Sequence, residues 1–274
     1  MIEIGKIQKL KIKEFTPQGA ILGVEDDHRE VLLKREEVSK DWKKGDELEL
    51  IVYNDNRLVA STKKPKGQVG DIVSLKVTSK PKFGTFLDWG LDKDVFLPYS
   101  ETLGSVSEGQ SCLVALYLDR SDRICASMKL DSFLELDSPY KKNDTVKGTI
   151  YSINKNLGLF VAVDNKYSGL VPNEEILGVY TMGDEVEARV FNVKDDGKLD
   201  LSLKGRANLE MSKDVNLILD KLRKNNGYLP YNDKSDPRDI KKEFGISKLA
   251  FKRAIGNLYR EKMIVFKNNG IKLS

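Results

Sequence analysis

Two phenylalanines lie on either side of Gly84 in a segment where polar and apolar residues alternate. Alternation of this kind predicts a β-strand, on which Leu87 and Trp89 share the face toward the core. Phe86 falls on the opposite face beside an aspartate, and Phe83 comes just before the glycine. An exposed phenyl ring among charged side chains suits stacking on a flat ring such as a nucleobase, because every base offers a π-face. The alternative is that Phe83 belongs to the core and Phe86 packs on a neighbouring domain.

Charged residues flank the turn of a later hairpin in the same segment. Asp119 and Arg123 are placed there to meet phosphate, sugar or base edges. Further along the chain, Lys194 and Lys198 occupy the corresponding positions. A lysine pair can hold phosphate as two point charges, but such contacts do not read sequence.

A related strand carries Phe160 in the stacking position. Alternation places Phe160 and Ala162 on its outer face, and Leu157 and Leu159 on its apolar face. Phe160 is therefore a second candidate stacking ring. Only one of the two aromatics is present here, because Leu157 stands in the place of Phe83.

These residues belong to a unit that occurs three times along the chain. Each copy has a glycine in its second strand, then a glutamate, another glycine and a closing Ser-x-Lys. In chain order the landmarks are Gly19, Gly84 and Gly158; Glu37, Glu101 and Glu175; Gly45, Gly109 and Gly183; and residues 61–63, 127–129 and 202–204. About five short alternating runs in each copy predict a small all-β barrel. The first copy has Gln18 and Ile21 where aromatics are expected.

The C-terminal part changes from a period of two residues to one of 3.6. Apolar residues at helical spacing predict three helices, the third with Phe251, Ile255 and Leu258 on its buried face. Two alternating runs around Asn268, Asn269 and Gly270 predict a terminal hairpin. The predicted domains are residues 1–63, 68–131, 143–206 and 212–274. The fold class is mainly β with a C-terminal α+β domain.

Positive charge is concentrated at the C-terminus. The chain has a formal net charge of +4, but residues 213–274 hold 15 Lys and Arg against 7 Asp and Glu, a net +8. This asymmetry predicts a basic domain that meets an anionic partner, although a merely solvated basic surface is the alternative. Candidate contacts lie mostly off the apolar stripe of the third helix: Lys248, Lys252, Arg253 and Arg260.

Several function classes find no support in the composition. Two cysteines, Cys112 and Cys125, are too few for a disulfide framework, which favours reduced thiols and a cytoplasmic location. No secretion signal or long apolar run predicts export or membrane contact. The single histidine, His28, is expected in an exposed loop, and no residues suggest a metal site, a cofactor or a catalytic centre. The protein is predicted not to be an enzyme.

Sequence motifs of the second copy resemble the S1 RNA-binding domain. They are residues 83–86 (FGTF), residues 96–101 (FLPYSE), the Asp119 and Arg123 pair and residues 127–129 (SMK). The resemblance implies a five-stranded OB-fold barrel that binds single-stranded RNA. It places the binding positions on Phe83, Phe86, Asp119 and Arg123. A histidine common in that family is replaced by proline or lysine in all three copies.

The three helices and the hairpin resemble a winged helix, a domain that usually binds nucleic acid but sometimes only proteins. Three S1-like units followed by a winged helix resemble the bacterial conserved virulence factor B family over the full chain. Membership implies an RNA-binding regulator of gene expression, with single-stranded RNA as its partner. Two alternatives stay open: a DNA-binding transcription regulator led by the winged helix, and a protein-interaction scaffold.

Overall fold

The structure, a computed structural model, describes residues 1–176, 178–203, 213–260, 262–267 and 269–274. The chain divides into two compact units, Met1–Leu203 and Lys204–Ser274. The predicted fold class is confirmed, with closed five-stranded barrels in the first unit and a mixed helical and β domain in the second. The predicted limits at residues 206 and 212, Lys204 of the closing Ser-x-Lys, and Asn268 lie outside the described residues.

The three barrels share one strand order, in which the third strand pairs in parallel with the fifth and the other pairs are antiparallel. The first barrel has strands β1–β5: Ile7–Thr16, Gly19–Gly23, Val31–Lys34, Glu47–Asn54 and Leu58–Ser61. The second has β6–β10: Ile72–Ser79, Gly84–Asp88, Val95–Pro98, Ser111–Leu118 and Ile124–Ser127. The third has β11–β15: Thr145–Asn154, Gly158–Val163, Tyr167–Pro172, Glu185–Val193 and Leu199–Ser202. A short 3₁₀ turn follows the third strand of each barrel.

The glycine of the second strand lets two strands approach closely. A Cβ atom added to Gly158 would lie 2.0 Å from the carbonyl oxygen of Val171 on the neighbouring strand. The corresponding carbonyl would be 1.9 Å away for Gly19 and 2.8 Å away for Gly84, where the Phe96 ring would be closer still at 2.3 Å. No side chain fits at these distances, so each barrel requires glycine at this point.

The remaining landmarks close each barrel. Ser127 is buried at the end of β10, and its Oγ donates a hydrogen bond to Oε2 of Glu101 at 2.7 Å. The equivalent bonds measure 2.8 Å in the first barrel and 2.5 Å in the third. Gly109 has a φ of +82° in the turn before β9, a conformation that favours glycine. The repeat therefore encodes a turn, a close strand approach and a buried hydrogen bond.

The first and second barrels share one apolar cluster. Ile51, Tyr53 and Val59 on β4 and β5 are buried in the same cluster as Leu87 and Trp89 of the second barrel. The ring of Tyr53 meets that of Trp89 edge-on, with centroids 6.2 Å apart. Since a barrel of this size has a modest core of its own, packing on a neighbour adds apolar burial to both.

A second shared cluster joins the second and third barrels. It contains Ile72 and Leu113 from the second barrel and Tyr151 and Ala162 from the third. Ala162 is fully buried there, although alternation predicts it on the outer face of β12. The outer face of this strand is covered by the neighbouring barrel, so a residue on this face is buried although it points away from the core of its own barrel.

The second unit has three helices and a small sheet. Its helices are α1 (Lys213–Lys224), α2 (Pro237–Phe244) and α3 (Lys248–Arg260), and its strands are β16 (Tyr228–Leu229), β17 (Ile264–Lys267) and β18 (Gly270–Leu273). The sheet order is β16-β18-β17. Phe251, Ile255 and Leu258 are buried on α3, as the helical spacing predicts. In the described part of the chain, no helix has both the length and the apolar character that crossing a membrane requires.

Candidate nucleic-acid interface

Strands β7 and β8 bring three phenylalanine rings together on the surface of the second barrel. Phe86 pairs directly with Phe96 across the two antiparallel strands, and their ring centroids are 5.5 Å apart. Phe83, just before β7, lies 5.9 Å from the Phe96 ring and 6.4 Å from the Phe86 ring. Phe83 is 65% exposed, while the other two rings are half-buried. The interpretation of Phe83 as a core residue is therefore wrong.

These rings form one side of a cavity of about 310 Å³. Most of its lining comes from the second barrel, but two residues at the end of β4 belong to the first. The lining comprises Tyr53, Asn54, Phe83, Phe86, Trp89, Lys93, Asp94, Val95, Phe96, Arg123, Ile124 and Cys125. A concave apolar site with a few polar groups at its edge is the usual form of a ligand pocket.

Asp119 and Arg123 are joined to each other beside this cavity. Nε of Arg123 donates to Oδ2 of Asp119 at 2.9 Å, and the backbone N–H groups of Ser121 and Arg123 donate to Oδ1. Burial alone would raise the pKa of Asp119, but these hydrogen bonds outweigh it and lower that pKa. The Arg123 side chain is 67% exposed. Asp119 therefore orients a guanidinium that remains accessible to a phosphate.

Cys125 lies in the wall of the same cavity. Burial, followed by the charge of Asp119, raises the pKa of its thiol to about 11. Both cysteines are free and buried. A thiol with a raised pKa is a poor nucleophile near neutral pH, so Cys125 contributes apolar lining to the site.

The first barrel has no equivalent ring cluster. Gln18 and Ile21 occupy the aromatic positions, and the side-chain oxygen of Gln18 accepts a hydrogen bond from Arg57 at 3.0 Å. This contact joins the residue before Gly19 to the residue before β5. In the second barrel, the equivalent positions are occupied by the exposed ring of Phe83 and by Arg123. The first barrel therefore lacks the means to stack a base on its own second strand.

The third barrel presents a different arrangement of the predicted residues. Phe160 is half-buried and packs on the buried ring of Tyr151, with centroids 6.1 Å apart. Leu157 is exposed, although alternation predicts it in the core. It lies in the turn that precedes β12, where the alternation of the strand does not apply. Phe160 thus packs toward the apolar cluster shared with the second barrel, whereas Leu157 faces solvent.

Lys194 and Lys198 stand at the hairpin positions of Asp119 and Arg123. The backbone N–H of Lys194 donates to the carbonyl of Lys198 at 2.9 Å, as Asp119 does to Arg123 in the second barrel. Nζ of Lys194 lies 3.2 Å from Oδ1 of Asp200, whose side chain is largely buried. Nζ of Lys198 lies 3.0 Å from the exposed Asp196. Lys194 therefore balances a buried carboxylate, whereas Lys198 forms only a solvent-exposed pair.

The predicted basic face of the second unit lies on α3. Lys252, Arg253 and Arg260 are exposed, while Lys248 at the first turn is half-buried. Among the described residues, neither Lys252 nor Arg253 forms an ion pair with a carboxylate. Exposed cations on one helix, without carboxylate partners, are suited to phosphate contacts.

Of the twelve residues that line the cavity of the second barrel, sequence reasoning did not predict nine as site residues. Phe96 is one, although its position between the buried Val95 and Leu97 on a predicted strand was a usable signal. Tyr53 and Asn54 reach the cavity through the packing of two barrels, which the sequence pattern does not encode. Lys93 comes from the segment between β7 and β8 of the second barrel itself.

Family models match most of the chain. One described as an S1 domain matches residues 4–63 and 69–129, and one described as an S1 RNA binding domain matches residues 140–204. A model described as a CvfB-like winged helix domain matches residues 216–273. The barrels and the helical domain thus define a nucleic-acid-binding protein of the regulatory class, built from S1 domains and a winged helix.

Similarity to named relatives identifies the family of the chain. It is 32% identical to the Bacillus subtilis protein YitL over 252 residues, which are 88% of this chain and 84% of the relative. It is 30% identical to conserved virulence factor B of Staphylococcus haemolyticus over 242 residues, which are 84% and 80% of the two chains. The chain belongs to the conserved virulence factor B family.

A solved structure also aligns over nearly the full length. It is described as a multidomain protein with nucleic acid binding domains from Streptococcus pneumoniae TIGR4, and it shares 25% identity with this chain. The alignment covers 99% of this chain and 98% of the other, with a TM-score of 0.46.

Proposed function

We propose that this protein binds single-stranded RNA in the cytoplasm, regulates gene expression after transcription and catalyses no reaction. The observation that carries the proposal is the ring cluster on β7 and β8, in which Phe83, Phe86 and Phe96 meet beside an accessible arginine. Stacking there would contribute about 1–3 kcal/mol for the bound base, whatever its identity. Arg123 would hold the adjacent phosphate, and Asp119 would orient the guanidinium group of Arg123.

The second unit supplies a separate electrostatic contribution. Lys252, Arg253 and Arg260 would contact phosphates in a way that depends on salt and not on sequence. Phe160, Lys194, Lys198 and Lys248 would add weaker contacts, since each is half-buried or paired with a carboxylate. Two modules on one chain bind a long strand more tightly than either alone, because the second contact becomes intramolecular.

Competition between nucleic acids tests the proposal. A labelled single-stranded RNA is bound to the full chain and displaced by unlabelled RNA or by duplex DNA of the same sequence, at low and at physiological salt. We expect the unlabelled RNA to displace the label at a lower concentration than the duplex does. Stronger competition by the duplex would instead support a DNA-binding transcription regulator led by the winged helix. If the protein binds neither nucleic acid at low salt, the result would instead support a protein-interaction scaffold.

A further inference from the structure

The first barrel has no ring at the stacking positions of its second strand, yet the end of its β4 strand lines the ring cavity of the second barrel. We propose that the first two barrels form one composite pocket that encloses a single nucleobase of an RNA strand. In this pocket the second barrel supplies the stacking rings, and Tyr53 and Asn54 of the first barrel form a wall of the lining. The inference rests on the proposed RNA-binding function and gives the first barrel a role that its own surface does not explain.

Packing holds this wall in place. Tyr53 is 3% exposed, and its ring contacts Trp89, which also lines the cavity. Tyr53 lies in the same apolar cluster as the core of the second barrel. The residues that connect the barrels are also fixed, because Nε1 of Trp89 donates to the carbonyl of Gly67 at 2.7 Å. The wall is thus part of a continuous core and is preorganised for a ligand.

Polar contacts join the two barrels at the mouth of the cavity. Nζ of Lys93 donates to Oδ1 of Asp55 at 2.8 Å, and Nδ2 of Asn54 donates to the carbonyl of Ser121 at 3.5 Å. Ser121 lies in the turn that Asp119 and Arg123 flank. The hairpin of the first barrel therefore reaches the charged hairpin of the second, which places its amide group close to the predicted phosphate contact.

The size and chemistry of the cavity fit a single base. Its volume of about 310 Å³ is at the small end of ligand pockets, which run from about 300 to 1,000 Å³. Aromatic rings favour a flat ligand, whereas the cations Lys93 and Arg123 lie at the edge. Lys93 is in a solvent-exposed ion pair with Asp55, and such pairs contribute little to stability, so Lys93 can turn to a phosphate. Arg123 is held by Asp119, but its side chain is 67% exposed and can meet a phosphate in place. This combination selects a base with its phosphate outside the pocket.

Crosslinking tests which barrels touch the RNA. The full chain is irradiated with single-stranded RNA that carries 4-thiouridine, and the crosslinked tryptic peptides are identified. We expect crosslinks on residues 83–93, which hold Phe83 and Phe86, and on residues 45–57, which hold Tyr53 and Asn54. Residues 14–29 provide an internal control, because they carry Gln18 and Ile21 at the positions where the first barrel lacks rings.

A charge substitution gives an independent measurement. Asn54→Glu places a negative charge at the wall, and we expect it to weaken RNA binding about five- to tenfold by repelling the phosphate. Lys40→Gln is the matched control, since it changes the net charge by the same amount at an exposed site of the first barrel outside the cavity. We expect it to change affinity less than about twofold. The urea midpoints of both variants check that they fold.

The outcomes separate this inference from the function on which it rests. Crosslinks on residues 83–93 without any on 45–57, or equal affinities for Asn54→Glu and Lys40→Gln, would overturn the composite pocket and leave RNA binding by the second barrel intact. A full chain that binds no RNA would overturn both. Crosslinks on both peptides, together with the selective loss in Asn54→Glu, would support the pocket.

Discussion

At the scale of single residues, the ring of Phe86 is the most direct test of stacking. Phe86→Ala removes one of three clustered rings, and we expect RNA affinity to fall by about 1–3 kcal/mol. Because the ring is half-buried against Phe83 and Phe96, we also expect a stability loss of about 1–2 kcal/mol. RNA titrations and urea unfolding measure the two effects separately. A loss of stability with unchanged affinity of the folded protein would refute stacking by this ring.

The repeat provides two matched controls for that substitution. Ile21 and Phe160 stand two residues after the equivalent glycines of the other barrels. Ile21→Ala should leave RNA affinity unchanged, because the first barrel has no ring there. Phe160→Ala should destabilise the fold more than it weakens binding, since its ring packs on the buried Tyr151. RNA titration of the three variants side by side compares these effects.

Two glycines of the third barrel should differ sharply in their tolerance of alanine. Gly158→Ala would place a Cβ atom 2.0 Å from a backbone oxygen, so we expect a loss of more than about 4 kcal/mol of unfolding free energy. Gly183 also has a positive φ, +96°, but no atom lies within 4 Å of its Cβ position. Gly183→Ala should therefore cost only the backbone strain, about 1–3 kcal/mol. Urea unfolding of both variants measures the difference, and similar losses would contradict this account of the repeat.

Residue-level sequence reasoning located the rings but not all of their surroundings. The exposure of Phe83 and the pairing of Asp119 with Arg123 depend on local geometry, namely a strand start and a hairpin turn. The environment of Phe160 depends on which face another barrel covers, and alternation along one strand carries no information about that. Asn54 lines the cavity for the same reason: the second-barrel residues around the cavity, from Phe83 to Cys125, are 29 to 71 residues away from Asn54 in the chain.

At the scale of elements, helix α3 is the main test of the electrostatic contribution. Replacing Lys252, Arg253 and Arg260 together by Ala should lower affinity for many RNA sequences alike, because phosphate contacts position a strand without reading it. Each contact contributes a log–log salt slope of about −0.7 on single strands, so the slope should flatten by up to about 2 units. Titrations at several salt concentrations measure it. An unchanged slope would make the basic face a solvated surface.

Gly256 lies on the exposed side of the same helix, and nothing lies within 4 Å of its Cβ position. Gly256→Ala should raise the free energy of unfolding by about 0.5–1 kcal/mol, because glycine is a poor residue in a helix interior. If the RNA backbone approaches α3 closely here, the same variant should bind RNA more weakly despite its greater stability. Thermal unfolding and RNA titration measure the two quantities. A more stable variant with unchanged RNA affinity would mean that the RNA binds elsewhere on the domain.

Elements with long periodic patterns were predictable, and very short ones were not. The stripe of Phe251, Ile255 and Leu258 identified α3 because it spans two turns of a helix. Strand β16 contains only Tyr228 and Leu229, and its pairing with β18 makes a three-stranded sheet where a hairpin was predicted. Two residues have no periodicity to read, so this strand is defined only by its partner.

At the scale of the whole molecule, we expect the two units to divide the binding energy. The fragment Met1–Leu203 is a compact unit, and it holds 29 Lys and Arg against 34 Asp and Glu, a net −5. We expect it to bind RNA at least about tenfold more weakly than the full chain, because the tethered basic unit is missing. RNA titration and circular dichroism of the fragment measure affinity and folding. Equal affinity for fragment and full chain would contradict the division.

The apolar cluster shared by the first two barrels also affects how the chain folds during its synthesis. The ribosome releases the N-terminal barrel first, with Ile51, Tyr53 and Val59 uncovered until β6–β10 have been made. For that interval the nascent chain exposes an apolar face, which makes such intermediates prone to aggregate. Translation that stops shortly after residue 63 should therefore yield an insoluble product, whereas a stop after β10 should yield a soluble pair of barrels.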